Sequence, residues 1–378
     1  MQHYLEATIA ETIGRAKRLK KSFPTPPRLH FQALAQRCLA LIDENIDDLQ
    51  ILYSAPEFQE RSNQSTRLKF MKARIREIDL IENIAVSAIA RCIDEDERIN
   101  KFVQAVCQEI AYPLIPPTVS GLSSDYYQIY PKFNLLLVPL LECDFLLHLP
   151  DLYHELAHPL FLEKNDDRVK PFQDEAGSLL NMVMEYFDQV ITADKRNNGG
   201  RYAQHYESWK TNWTRWIPEF FCDIFGVCTS GAAYGWAHLH LSMKRGGNPF
   251  EVPLHGKSTH PNDEARMQVI LHVLDFMKLH DSKNAIAEKW KLVQQIHTKQ
   301  RDQTFDLPYP PDIVKECALH GFRAVVKIKC VIASNQQGTI FKTLNEAWDL
   351  FWSDYASFFE WEEKKVQELQ QLFAISRY

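Results

Sequence analysis

Apolar residues recur at helical spacing through both ends of this chain of 378 residues. Residues three or four positions apart lie on one side of an α-helix, so such a series predicts helices that pack through a shared apolar face. Two long series show the pattern: Leu68, Met71, Ile75, Ile78, Ala85, Ile89 and Cys92 near the N-terminus, and Trp348, Phe351, Tyr355, Phe358, Val366, Leu369 and Phe373 near the C-terminus. We therefore expect a mainly α-helical protein.

Two segments between the helical ends favour β-strands instead. They read YYQIYP at residues 126–131 and FNLLLVPL at residues 133–140, and each is closed by proline. The second segment could offer its edge to an extended peptide, or it could serve only as a core strand. Residues Val325 to Ile332 alternate like a further short strand. We therefore expect a small sheet within a mainly helical α+β fold.

The overall charge and composition exclude several classes of protein. Lys and Arg number 43 against 49 Asp and Glu, which gives a formal charge of −6. Because nucleic-acid binding needs surplus Lys and Arg to neutralise phosphates, we expect no nucleic-acid partner. Hydrophobic residues at 45% and charged residues at 24% are ordinary values for a globular protein and exclude general disorder.

Three features predict a soluble cytoplasmic protein. The stretch from Ile224 to Met243 has no formal charge and the length of a membrane span, but His238, His240 and several glycines disfavour insertion. The N-terminus lacks the uninterrupted apolar segment of a secretory signal. The eight cysteines form no CxxC pair, as expected for free thiols in a reducing compartment.

The sequence HELAH, from His154 to His158, carries the clearest chemical signal. On a helix the two histidines lie one turn apart on the same face, so both imidazoles can reach one metal ion. Glu155 lies beside them and can take a proton from a water molecule that the ion has made acidic. Pro159 follows directly and is expected to end or kink this helix.

A catalytic zinc ion normally takes three protein ligands, so a third is needed. Glu219 and Asp223 lie four residues apart in PEFFCD, and Pro218 suggests the first turn of a helix. One acid as ligand and the other as hydrogen-bond partner of a histidine would offset the cost of burying both. Glu175 is the alternative ligand, in a helix expected from about Asp174 to Ile191. Cys222, between the two acids, is interpreted as a packing residue.

HELAH followed by EFFCD resembles the gluzincin class of zinc metallopeptidases, which combine HExxH with a downstream ExxxD. The resemblance implies that His154, His158 and Glu219 hold one catalytic Zn²⁺ ion. It also implies Glu155 as the general base and Asp223 as the hydrogen-bond partner of a ligating histidine. A zincin-like core with a small β-sheet and an active-site helix is the fold that it implies.

The segment THPNDEAR, which contains His260 and Arg266, is similar to a THP…R segment of several intracellular gluzincins. Pro261 with the acids after it predicts a helix start. His260 could then stabilise an oxyanion or be only a structural cap, and Arg266 could support it, bind a substrate carboxylate or lie at the surface. Tyr234 is another candidate for the oxyanion role. His238 and His240 could form a second metal site only if their segment were a strand.

These observations predict three regions and one main function. The regions are an N-terminal helical part (1–115), a zincin-like metallopeptidase core (116–280) and a mostly helical C-terminal part (281–378). The expected function is a zinc-dependent hydrolase, a metallopeptidase acting on a peptide or protein substrate with Glu155 as general base. The alternative is a catalytically inactive helical scaffold that keeps the zinc fold. In both cases the helical flanks are candidates for binding a protein partner.

Overall fold

A computed structural model of the chain describes residues 2–25, 28–123, 126–140, 142–252, 258–296, 301 and 303–375. In these residues the protein is mainly helical, as the apolar spacing predicts, and carries one small β-sheet, as the two strand segments predict. The chain divides into two compact units, the first formed by Met1–Lys101 with Pro117–Leu140, and the second by Phe102–Pro116 with Leu141–Tyr378.

The first unit is built from helices that meet through their apolar faces. Its helices are α1 (Gln2–Lys21), α2 (Gln32–Ser54), α3 (Pro56–Gln59), α4 (Gln64–Leu80), α5 (Ser87–Ala90) and the beginning of α6 (Asp94–Glu109). A π-helical segment, Ile81–Val86, joins α4 to α5. The buried positions Leu34, Cys38 and Ile42 follow the helical period along α2. The predicted N-terminal helices are therefore confirmed.

A three-stranded sheet belongs to this first unit. It contains β1 (Thr118–Ser120), β2 (Gln128–Tyr130) and β3 (Leu135–Leu137) in the order β1-β3-β2, with β3 parallel to β1 and antiparallel to β2. Both predicted strand segments are confirmed. Because β3 is the central strand, both of its edges are already paired. Of the two alternatives for FNLLLVPL, the structure favours the core strand and excludes the free edge for a peptide.

The second unit contains the remaining helices. They are α7 (Asp151–Leu162), α8 (Lys170–Asn197), α9 (Ala203–Ser230), α10 (Ala232–Arg245), α11 (Asp263–Phe276), α12 (His280–Ile296), α13 (Pro311–Lys327), α14 (Thr339–Ser353) and α15 (Tyr355–Ile375). The division differs from the three regions expected from the sequence. The sheet lies with the N-terminal helices, and the C-terminal helices share a unit with the HELAH segment.

Helix α9 forms the centre of the second unit and packs against α7, α8, α11 and α13. Trp209, Trp213 and Trp216 are buried along it and belong to the core of this unit. Pro218 lies inside α9 and not in its first turn, because the helix already begins at Ala203. The strand expected at residues 325–332 is wrong, since α13 runs on to Lys327.

The uncharged stretch at residues 224–243 is divided between two helices. Gly231 lies between α9 and α10 with a φ of 69°, a left-handed conformation that favours glycine and reverses the chain. Among the described helices, none combines the length and the apolar character that crossing a membrane requires. The stretch is therefore a buried helical corner.

Candidate metal centre

Helix α7 carries the HELAH segment into the interior of the second unit. His154 is buried, and its ring centroid lies 5.1 Å from that of His158, one turn further along. The phenolic hydroxyl of Tyr112 donates to the Leu156 carbonyl at 2.8 Å and fixes the middle of the helix. The helix does not end at Pro159 but continues to Leu162, so the two histidines share one helical face as the spacing predicts.

The two ring nitrogens of His154 face two acidic residues of α9. Its Nδ1 lies 2.9 Å from Oδ1 of Asp223, and its Nε2 lies 3.4 Å from Oε2 of Glu219. The structure therefore brings Glu219 and Asp223 to the same histidine, because residues four apart share one face of α9. With Nδ1 directed at Asp223, Nε2 is the nitrogen that faces Glu219.

Asp223 is the most deeply buried charge of the site, with an exposed fraction of 0%. The guanidinium of Arg266 donates to both of its oxygens, at 2.8 Å from Nε and 2.6 Å from a terminal nitrogen. The hydroxyl of Tyr234 donates to Oδ1 at 2.6 Å. Burial by itself would raise the pKa of Asp223, but Arg266 and His154 outweigh it and hold the carboxyl ionised.

This arrangement changes the interpretation of two residues. The sequence predicts that Arg266 supports His260, binds a substrate carboxylate or lies at the surface. It makes Tyr234 a candidate hydrogen-bond donor to an oxyanion. Both side chains are buried, and their donors are directed at Asp223. Burial also raises the pKa of the Tyr234 hydroxyl well above its usual range, so it remains a proton donor to the carboxylate. In the structure, both residues hold Asp223.

Local sequence explains how Tyr234 and Arg266 reach this place. Gly226 in α9 leaves room for the Tyr234 ring, because a Cβ at this position would lie 2.6 Å from a ring carbon. The Asn262 side chain accepts from the backbone nitrogen of Ala265 and caps α11. This cap confirms the predicted helix start and fixes Arg266 in the first turn of α11.

Glu219 and His260 face each other at the exposed side of the site. Oε2 of Glu219 lies 3.4 Å from Nε2 of His260, whose side chain is 62% exposed. This oxygen is buried, and it has no hydrogen-bond partner in the part of the chain that the structure describes. Burial would raise the pKa of Glu219, but the neighbouring histidines, His154 above all, lower it to about 2. The result is an ionised carboxylate oxygen that lies 3.4 Å from one ring nitrogen of each of two histidines.

The two histidines of α7 differ in their preference for a proton. Burial would lower the pKa of His154, but the carboxylates of Asp223 and Glu219 outweigh it and raise the pKa to about 10. Burial, helped by the positive charge of His154, lowers the pKa of His158 to about 4. Without a metal ion, the carboxylates therefore favour a positively charged His154, and burial favours a neutral His158.

Cys222 is the site residue that the sequence reasoning missed. Its Sγ lies 3.5 Å from Nδ1 of His158, and the side chain is completely buried. Ligand atoms of His154, His158 and Cys222 all lie within 4.8 Å of one another, and this is the one such group found among the described residues. Its position in the sequence could have indicated this role, because Cys222 comes three residues after Glu219 and directly before Asp223, on the face of α9 that meets α7.

The other candidate ligands have different partners. Glu175, the alternative third ligand, accepts from His320 at 2.6 Å and pairs with Lys327. His238 lies 3.2 Å from the Asp263 carbonyl through Nε2, and His240 packs against the Trp348 ring. Because His238 and His240 lie on a helix and face different neighbours, they form no second metal site.

Comparison with family models, with curated proteins and with solved structures finds no match to this chain. The interpretation of the centre therefore depends on its own geometry and chemistry.

Proposed function

We propose that this protein is a metal-dependent hydrolase of the gluzincin type that cleaves amide bonds, with a peptide or protein as its substrate. One observation carries the proposal. The buried oxygen Oε2 of Glu219 has no hydrogen-bond partner among the described residues and lies 3.4 Å from His154 Nε2. The charge of His154 stabilises this ionised oxygen, and a metal ion bound between the two atoms would take over that role.

The donor types suit a divalent transition-metal ion, and binding would bring Glu219 closer to His158, because Glu219 lies outside the group of ligand atoms within 4.8 Å of one another. Two ligand atoms about 2 Å from one tetrahedral ion are roughly 3.3 Å apart, close to the separation of His154 Nε2 and Glu219 Oε2. His158 follows one turn after His154 on the same helical face and supplies a second imidazole. Two imidazoles and a carboxylate form a common ligand set of catalytic zinc, so His154, His158 and Glu219 are the proposed ligands.

Asp223 prepares the first of these ligands. Its carboxylate accepts from Nδ1 of His154 and so leaves the lone pair on Nε2. Arg266 and Tyr234 hold the carboxylate in place, which restricts rotation of the imidazole ring. Loss of such a partner typically weakens metal binding or activity by about 10–100-fold.

A bound zinc ion supplies an acidic water molecule and polarises the carbonyl group of the substrate. Glu155 is proposed as the general base that receives a proton from the attacking water and returns it to the leaving nitrogen. It follows His154 directly on α7 and is only partly buried, so solvent and substrate can reach it. The exposed His260, with Nε2 directed at Glu219, is proposed to stabilise negative charge on the substrate oxygen.

The decisive experiment combines metal analysis with proteolysis. The purified protein is stripped of metal and reloaded with zinc, and its metal content and cleavage of a peptide library are measured. Wild type is expected to bind one ion and to cleave peptides. Glu155→Gln is expected to keep the ion and to lose about 100-fold or more of the activity, which is typical for removal of a general base.

Glu163→Gln is the matched control, since this residue lies at the C-terminal end of the same helix. It should leave both metal content and cleavage unchanged. A protein that binds the ion stoichiometrically but shows no cleavage dependent on Glu155 would be a zinc-containing scaffold. Failure of the reloaded wild type to bind metal would contradict the ligand assignment.

A further inference from the structure

We propose that Cys222 is the positioning residue of His158: its sulfur accepts a hydrogen bond from Nδ1–H and directs Nε2 of that histidine to the metal ion. This inference rests on the proposed function, because it assigns a role within the same centre. The carrying observation is the distance of 3.5 Å between Cys222 Sγ and His158 Nδ1. Sulfur is a weak acceptor, and its hydrogen bonds are longer than those of oxygen.

The two histidines of α7 are then held in matching ways by adjacent residues of α9. Asp223 lies 2.9 Å from Nδ1 of His154, and Cys222 lies 3.5 Å from Nδ1 of His158. A neutral imidazole carries one N–H, and a hydrogen bond that fixes it on Nδ1 leaves the lone pair of Nε2 for a metal. With an ion on Nε2, both histidines would carry their proton on Nδ1, each facing one of two adjacent residues of α9.

Because Cys222 is buried, the His158 ring depends on its sulfur as a hydrogen-bond acceptor. The Cys222 side chain has an exposed fraction of 0%, so solvent cannot take over as acceptor for the His158 ring. The neighbouring Phe221 packs its ring 5.4 Å from that of Phe172 and 6.0 Å from that of Phe161. These aromatic contacts fix this turn of α9 and keep the sulfur beside the imidazole.

Direct ligation of the metal by Cys222 is the competing arrangement, since its sulfur lies in the same close group as His154 and His158. Ligation would make the sulfur the third protein ligand beside His154 and His158, or the fourth if Glu219 also binds, which would leave no position for water. In the proposed positioning role the sulfur contacts only the imidazole of His158. The two arrangements differ in whether sulfur touches the metal, which spectroscopy can decide.

The test compares wild type with Cys222→Ser, which retains an acceptor, and Cys222→Val, which retains apolar volume without one. Zinc affinity is measured by competition with a chelator, and cobalt-loaded protein is examined for a thiolate-to-cobalt charge-transfer band. Cys222→Val is expected to bind zinc about 10-fold or more weakly, and Cys222→Ser to recover most of this loss. No thiolate band is expected in wild type.

Cys228→Ser and Cys228→Val are matched controls, because Cys228 is equally buried on the same helix. Neither should change zinc affinity. A second measurement needs no variant: long-range ¹H–¹⁵N spectra of metal-free wild type should show His158 with its proton on Nδ1. A proton on Nε2, or equal zinc affinity in all Cys222 variants, would overturn the inference. A thiolate band that disappears in Cys222→Ser would make Cys222 a ligand and overturn it too, whereas wild type without any bound metal would contradict the proposed function itself.

Discussion

Arg266 on α11 donates two hydrogen bonds, of 2.8 and 2.6 Å, to the carboxylate of Asp223 on α9. Asp223 is fully buried and Arg266 is 8% exposed, so water does not screen this pair. Burial would lower the pKa of Arg266, but the Asp223 carboxylate raises it, and the guanidinium stays charged. The pair joins α11 to α9, and Asp223 also orients His154. A change in the pair is therefore expected to affect both stability and metal binding.

Replacing Arg266 by methionine is expected to destabilise the protein by about 3 kcal/mol or more, because it leaves a buried carboxylate without its main counter-charge. Urea unfolding measures this change. Arg323→Met, at an exposed position of α13, is the control and should alter the free energy of unfolding by about 0.5 kcal/mol or less. If Arg266→Met and Asp223→Asn combine additively, the two residues are not coupled as the structure indicates.

Gly226→Ala is expected to damage the centre through packing alone. The added Cβ would meet the ring of Tyr234 at 2.6 Å, so the ring or the helix must move. Overpacking of this kind costs about 1–3 kcal/mol. The displaced hydroxyl would also release Asp223, and zinc affinity should fall along with stability. Gly177→Ala in α8 is the control, since a Cβ there meets nothing within 4 Å. Unchanged zinc affinity in Gly226→Ala would show that Tyr234 has no part in holding the centre.

Glu219→Gln removes the charge of the proposed carboxylate ligand while keeping the size of the side chain. Zinc affinity, measured by competition with a chelator, is expected to fall by more than the roughly 10–100-fold typical of losing a residue that only orients a ligand. Glu207→Gln, at an exposed position of the same helix, should bind zinc like wild type. Equal affinity in Glu219→Gln and wild type would remove Glu219 from the ligand set.

Acid stability should depend on Glu175, which ties α8 to α13 through His320 and Lys327. Burial would raise the pKa of Glu175, but Lys327 and His320 outweigh it and lower the pKa below the ordinary 4.5. A carboxyl whose pKa is lower in the folded state than in the unfolded state stabilises the protein at pH values above its unfolded-state pKa. This stabilisation disappears as the pH falls through its folded-state pKa. Its full effect is therefore present at neutral pH and is lost below about pH 4.5.

Glu175→Gln is accordingly expected to cost about 1–3 kcal/mol at neutral pH and much less at about pH 3. Urea unfolding across this range measures the difference from wild type. Glu185→Gln is the control, because this residue is exposed on the same helix. A cost in Glu175→Gln that does not shrink with falling pH would mean that the charge of Glu175 is not what stabilises the helix pair.

Local patterns in the sequence determined the helices and part of the centre. Helical spacing predicted both ends of the chain, and the one-turn spacing of His154 and His158, like that of Glu219 and Asp223, depends only on the geometry of a helix. Local patterns failed where tertiary packing decides. Residues 325–332 alternate like a strand, yet the first of them continue α13, whose buried face packs against α8 and α9. Pro218 suggested a helix start but lies within α9.

Contacts between distant segments required the tertiary structure. The sequence pointed to Arg266 and Tyr234 as residues of a candidate site, but only the packing of α9, α10 and α11 directs both at Asp223. The packing of α7 against α9 likewise brings Cys222 to His158, which lies 64 residues away in the chain. The sequence by itself determined which side chains share a helical face, because that follows from local backbone geometry. Only the tertiary structure decided which faces meet, because that depends on how all the helices bury their apolar surfaces together.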